Sequence, residues 1–357
     1  MAYSTISKPS LHFNTITYSG NGSNPRTLTG VGFQPDWVWQ KNRTDSNGHT
    51  LADVVRGANI TLSSDGTGAE VTDKSDGHLD AFTSDGFTVG AGSGGDARVN
   101  DGSHTYVAWN WKAGNSQGTS NTAGSINTTY TSVNTTAGFS ISKYTGTGAN
   151  ATVGHGLGVA PNMIIFKNTN STRDWAVYQD HIQLGTPNAY MALNRTYAKE
   201  AGYNFSNATA PTNQVFSVGN LTSNNGSGQE YIAYCFADVK GYSKFGGYQG
   251  NSSTDGTFVY LGFKPAWIMF KNATDAGYGW YILDNKRDID NPAAQYIYAN
   301  QANAEATNTF FDFLSNGFKI RESGGGSNGS GKQYIYMAFA EEPLVANVGG
   351  GVPATAR

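Results

Sequence analysis

Four stretches of this chain recur three times in the same order, and no other feature limits its folding so tightly. The first is FNTITYSGNG (13–22), echoed by FSISKYTGTG (139–148) and YSKFGGYQGN (242–251). The second is GFQPDWVWQKNR (32–43), with partners GLGVAPNMIIFKN (156–168) and GFKPAWIMFKN (262–272). The third is FTSDGFTVG (82–90), matched by FLSNGFKIR (313–321) and reduced to VFSVGN (215–220) in the middle copy. The fourth is TYVAWNWKAG (105–114), then EYIAYCFADVKG (230–241), then QYIYMAFAEEP (333–343). Tyr18, Tyr144 and Tyr248 are 126 and 104 residues apart, and so are the trios Pro35, Pro161, Pro265 and Lys41, Lys167, Lys271. Markers that keep register this closely define repeats of one structural unit. They divide the chain into repeats 1–113, 139–240 and 241–343, a Gly/Ser/Thr/Asn-rich linker 114–138 and a C-terminal tail 344–357.

Inside the repeats, apolar and polar residues alternate with the period of a half-buried strand. In DWVWQK, Trp37 and Trp39 share one face. In TYVAWNWKA, Tyr106, Ala108 and Asn110 take one face and Val107, Trp109 and Trp111 the other. The strings YIAYCFA and YIYMAFA are apolar on both faces, as inner strands are. Asp85-Gly86 and Asn316-Gly317 are tight-turn signals, and Pro35 and Pro265 suit the start of a strand. Charged residues make up only 14% of the chain, so its polarity rests on Gly, Asn, Ser and Thr, which favour turns over helix interiors. Short helices are expected only near Ala201 and over 291–304. The predicted fold is all-β: three tandem β-sandwich domains of one repeated type, jelly-roll-like in their strand and turn spacing.

The net charge of −3, without a basic block, argues against nucleic acid as a partner. No apolar run reaches the length of a membrane span, and the first twenty residues show no signal-peptide pattern. Cys235 is the only cysteine and sits in an apolar string, where an inert buried thiol is expected. The six histidines form no HxH or HExxH pattern. Asp73, Asp76 and Asp80 resemble a calcium loop without its ligand spacing, so a solvated turn is the plainer reading. Asp53 with Arg56 and Asp284 with Arg287 fall at similar offsets from the repeat lysine, and Asp180 is their rough middle-copy counterpart. Paired carboxylates can hydrolyse glycosides, but a repeated structural ion pair is the simpler account. No catalytic residue, metal ligand or cofactor is assigned. Asn-x-Ser/Thr sequons such as those at Asn42 and Asn272 are expected by chance in this composition.

Aromatic side chains are the remaining functional clue. Rings stack on the C–H faces of sugars while amides bond the hydroxyls, which makes Trp39, Trp111, Trp175 and Trp280 the candidate ligand-binding residues. Core packing is the competing role for every one of them.

The opening MAYSTISKPSLHFNTITYSGNG, the runs GVGFQPDWVWQKNR and YIAYCFADVKGYSKFGGYQGN, and the closing YIYMAFAEEPLVANVGGGVPATAR resemble a family of virion structural proteins of marine tailed phages. The resemblance implies a non-enzymatic particle component, assembled in the host cytoplasm and exposed on the virion as a tail fibre, spike or other appendage. It implies other virion proteins as partners and, by analogy, a homotrimer. Host-surface glycan is a further expected partner; nucleic acid and membrane insertion are not. A capsid decoration protein and a polysaccharide-degrading or lectin-like protein are the alternatives. The tail 344–357, or the segment before Phe13, is expected to make an intersubunit contact.

Overall fold

The computed structural model describes residues 4–92 and 97–344, so the predicted tail lies outside the described residues beyond Leu344. Strands make up nearly all of the regular structure, and the described helices are the single turns Pro9–Leu11, Asp180–Gln183 and Thr222–Asn225. The helix expected over 291–304 is instead the strand Ala293–Tyr298, paired with Tyr281–Asp284 and Ala306–Leu314, and no helix forms near Ala201. Sheet pairing and burial there override a weak local helix preference.

Each repeat places its inner strand between two neighbours. In the first, Thr105–Trp111 lies between Phe13–Ser19 and Trp37–Asn42, and Thr50–Asp53 extends the sheet. In the second, Glu230–Phe236 lies between Phe139–Thr145 and Met163–Asn168. In the third, Gln333–Pro343 lies between Ser243–Gln249 and Phe263–Asn272. This third sheet continues through eight strands to Phe258–Tyr260 and curls into a nearly closed barrel. Pro265 falls inside the strand Phe263–Asn272 rather than before it. A register shift on each side of Pro265 absorbs the missing N–H.

The predicted Asp-Gly and Asn-Gly turns form the hairpins His78–Thr83/Gly86–Gly90 and Ala306–Leu314/Gly317–Ile320. Glycine is required beyond the turn itself. A Cβ at Gly86 or Gly317 would stand 2.0 Å from the carbonyl oxygen of Leu28 or Val259 on the adjoining strand.

Four apolar cores result. Three belong to single repeats: Leu28, Val38, Phe87 and Ala108 in the first, Tyr144, Phe166, Phe216 and Cys235 in the second, and Phe263, Phe270, Phe311 and Tyr334 in the third. The fourth is common to all three. It takes Trp37, Trp39, Trp109 and Trp111 from the first repeat, Ile165, Trp175, Tyr234 and Phe236 from the second, and Trp267, Trp280, Met337 and Phe339 from the third. The repeats are therefore not separate bodies on a string. Each turns one face of its main sheet to its own core and the other to the shared one.

The stretch 114–138, expected as a free linker, is structured. Its strand Tyr130–Asn134 pairs with Phe139–Thr145, Ile126 enters the second repeat's core and Ala137 the shared one. The segment before Phe13 packs within its own chain: Ile6 is part of the shared core, and His12 meets the Tyr242 ring edge-on at 5.9 Å.

Candidate functional site

The four tryptophans expected to bind ligand, Trp39, Trp111, Trp175 and Trp280, are at most 1% exposed and belong to the shared core. None presents a ring face to a solvent ligand. The composition that suggested sugar stacking is instead what the centre of the molecule requires, because inward-facing strands from three sheets leave a wide space that large rings fill.

Two of these rings close the assembly of repeats. Trp175 donates its indole N–H to the Ser63 carbonyl at 3.0 Å, and Trp280 donates to the Ala192 carbonyl at 3.0 Å. The pairings Leu51↔Leu62, Val177↔Met191 and Ile282↔Ile297 make Ser63, Ala192 and Tyr298 equivalent, and likewise His49, Trp175 and Trp280. His49 completes the cycle with Nε2 2.9 Å from the Tyr298 carbonyl. Trp39 donates to His49 Nδ1 at 2.8 Å, so Nε2 carries the proton. Beneath each ring, a side-chain oxygen of Asp65, Asn194 or Asn300 accepts the backbone N–H of the same residue at 2.8–3.0 Å. The repeats thus bond in the order one to three, three to two and two to one. Burial pushes the His49 imidazole down to about 4, even with the Asp65 carboxylate nearby.

The expected ion pairs are present and buried. Arg56 Nε lies 2.5 Å from Asp53 Oδ2 and Arg287 Nε 2.6 Å from Asp284 Oδ2, with all four side chains inaccessible. The Tyr234 hydroxyl donates to Asp53 at 2.7 Å and the Trp109 indole to Asp284 at 2.9 Å, each from another repeat. The middle counterpart is Gln179 rather than Asp180. Gln179 faces Met163 as Asp53 faces Trp37, and it accepts the Ile182 N–H where Asp53 accepts that of Arg56. Met337, the register equivalent of Trp109 and Tyr234, has no N–H or O–H to offer. The third position loses ion pair and donor together. These carboxylates are committed to structure, and none faces an open groove as a hydrolytic acid would.

The remaining sequence candidates are likewise absorbed. Asp80 pairs with His78 at 2.7 Å and Lys74 at 3.3 Å, Asp76 pairs with Arg98 at 3.2 Å, and Asp73 accepts the Ser75 N–H at 2.9 Å, so the acidic loop is held by contacts of its own. Among the described residues no group of three or more His, Cys, Asp or Glu side chains could hold a metal ion. Asn42 and Asn272 are fully buried, and their side-chain amides donate to Ala97 and Gly325 carbonyls. Cys235 is buried in the second repeat's core, which pushes its thiol pKa up. No helix of the described residues is long and apolar enough to cross a membrane.

The seams between repeats offer a further arrangement that sequence reasoning missed. Asp36, Asn162 and Ala266 are equivalent, because their carbonyls accept the N–H of Val54, Asp180 and Asn285 at 2.8–3.0 Å. Where the chain passes from the first repeat to the second, Ala113 and Asn115 N–H donate to Asp36 Oδ2 at 2.6 and 3.0 Å. Where it passes from the second to the third, Asp238 N–H donates to Asn162 Oδ1 at 2.8 Å, and Asn162 Nδ2 donates to Asp180 Oδ2 at 2.8 Å. At the seam between the third and first repeats the described N-terminal segment packs on the third repeat, with His12 against Tyr242, and Ala266 stands in the place of the polar side chain. A cleft of about 180 Å³ opens, lined by Thr15, Ala266, Asn285, Lys286, Glu341 and Glu342 among others. Asn285 and Thr15 line it, while their side-chain oxygens Oδ1 and Oγ1 are shielded from solvent and have no hydrogen-bond partner. Glu341 Oε2 lies 3.1 Å from Lys264 Nζ.

Residues 8–343 match the model of one protein family, a domain of unknown function (DUF7483). The chain belongs to this family. The family match takes in all three repeats from residue 8 onward, so every residue of the shared core except Ile6 lies inside the DUF7483 domain. No curated protein and no solved structure matches the chain.

Proposed function

We propose that this chain is a non-enzymatic structural component of a tailed-phage particle, a surface appendage whose three sandwich-like lobes form one body. The carrying observation is the ring of bonds from His49, Trp175 and Trp280 to the next repeat, which gives one chain the internal three-fold plan of a trimer. On this reading the repeats stand in for three subunits, and the chain seats singly on a three-fold axis of its virion partners instead of trimerising. The sequence resemblance to phage virion proteins supplies the setting. Host-glycan contact remains part of the reading, moved from the buried tryptophans to polar surface clefts.

Cryo-electron microscopy of the particle tests it. One copy on a three-fold axis of a tail or spike is the expected result. A regular array over the head would make the chain a decoration protein, and absence from purified particles would overturn the reading. A trimer in solution by light scattering would overturn the single-chain version.

A further inference from the structure

We infer that the cleft between residues 183–187 and 206–210 of the second repeat is a binding site for a single neutral sugar ring, a hexopyranose at the end of a glycan. This rests on the glycan part of the reading above and gives it a place on the surface.

Tyr178 marks the site. The pairings Ile164↔Tyr178, Val38↔Ala52 and Ile268↔Leu283 make Tyr178, Ala52 and Leu283 equivalent. The first and third repeats fill this position with hydrocarbon, so the repeated fold requires no hydroxyl there. The Tyr178 side chain belongs to the second repeat's core, is only 4% exposed and lines the cleft. Its hydroxyl makes no hydrogen bond to a described residue and is not shielded from solvent, so a molecule in the cleft can reach it. Burial and the Asp180 carboxylate push its pKa up, which keeps it an O–H donor at neutral pH.

The other polar groups of the lining already donate elsewhere. Ser206 Oγ donates to Asn188 Oδ1 at 3.2 Å, Thr209 Oγ1 to the Asn207 carbonyl at 2.9 Å, and Gln183 Nε2 to the Ala189 carbonyl. Each of these side chains keeps an oxygen with a lone pair to accept with. A ligand must therefore bring several donors of its own, and one acceptor for Tyr178. No charged side chain lines the cleft, so an ammonium ion, a carboxylate or a phosphate finds no countercharge there. Pro187, Ala208 and Ala210 supply an apolar wall for a C–H face, and about 150 Å³ takes one six-membered ring. Several hydroxyls on a ring with an apolar face are the chemistry of a pyranose. A plain aromatic ring lacks the donors. The walls are fixed in advance: Asn188 Oδ1 accepts the N–H groups of Ser206 and Ala208 at 3.0 and 2.7 Å. Of six non-glycine residues with positive φ among the described residues, Asn188, Asn207 and Ala208 border this cleft, and strained backbone of this kind clusters at ligand sites.

The test is an NMR titration of the full purified chain with methyl α-glucoside and methyl β-galactoside, with phenol and inorganic phosphate as probes outside the class. Saturable binding of at least one glycoside is expected, with amide shifts centred on 178, 183 and 206–210. Tyr178→Phe removes a hydroxyl that bonds nothing in the protein, so it should melt with wild type yet bind the glycoside about tenfold more weakly. Ala210→Leu, at an exposed position, fills the cleft and should abolish binding; it serves if Y178F does not fold. No saturation by either glycoside, saturation by phenol or phosphate at equal or higher affinity, or glycoside affinity unchanged in either folded variant overturns the proposal. A chain that binds no glycoside can still be found on the particle, so failure here is distinguishable from failure of the structural reading.

Discussion

The Trp109 indole donates to the Asp284 carboxylate at 2.9 Å across 175 residues of sequence, and the Arg287 guanidinium lies 5.6 Å from the centre of the same indole ring. One buried ion pair of the third repeat is thereby completed by the first. Tyr234 does the same for Asp53. Buried carboxylates of this kind persist only when every oxygen is matched by a donor.

Asp284→Ala should therefore destabilise the chain by up to about 3–5 kcal/mol, because it removes the buried partner of Arg287 Nε and leaves the guanidinium only the Glu305 carboxylate, 3.0 Å from Nη1. The double variant Asp284→Ala/Arg287→Met should cost less than Asp284→Ala alone. Urea unfolding of wild type and both variants measures this, and equal costs would show that the pair is not energetically coupled.

Because the shared core draws side chains from all three repeats, the chain should unfold in one cooperative transition. Calorimetric and van't Hoff enthalpies should agree. The isolated fragment 1–113 would expose Trp37, Trp39, Trp109 and Trp111 and should be aggregated or unfolded. A folded, monomeric fragment would mean that each repeat is self-sufficient.

All seven tryptophans are fully buried. The native fluorescence should peak at short wavelength and resist acrylamide quenching, and saccharides should leave it unchanged. Efficient quenching of the folded protein would place at least one indole at the surface.

His49 and His104 should titrate in opposite directions. His49 is held at about 4 by burial, next to Asp65 and Lys41. Between pH 6.5 and about 4 the unfolded chain binds a proton that the folded imidazole refuses. The contribution of His49 is thus complete above 6.5 and falls by roughly 3 kcal/mol as the pH drops to 4. Desolvation lowers the His104 pKa, but His104 bridges Asp45 and Asp101 at 2.7 and 2.8 Å, and these carboxylates together outweigh it and raise the pKa. Its contribution is full below 6.5 and disappears as the pH rises through the folded value. Burial raises the Asp36 carboxyl to about 6, so it recovers stability on acidification and masks His49 in bulk melts. Residue-resolved imidazole titration by NMR separates them, and a His49 pKa near 6.5 would contradict the buried neutral ring.

Much of this molecule could be read from the order of its residues. The repeat register, the inner strands, the turns at Gly86 and Gly317 and the facing of Trp37, Trp39, Val107, Trp109 and Trp111 all follow from period-two alternation and turn chemistry, which act over a few neighbouring residues. The same is true of the Asp53–Arg56 and Asp284–Arg287 pairs, whose partners stand three residues apart. Alternation says which face of a strand is buried but not what buries it. Only the tertiary structure decided that three inward faces meet in one core and turn four candidate sugar platforms into interior packing. Only the meeting of distant segments puts His49 in the place of Trp175 and Trp280, makes Gln179 the answer to Met337, and leaves Asn285 facing Ala266 across an unfilled seam. Those contacts join residues far apart in the chain, and no local pattern encodes a distance between them.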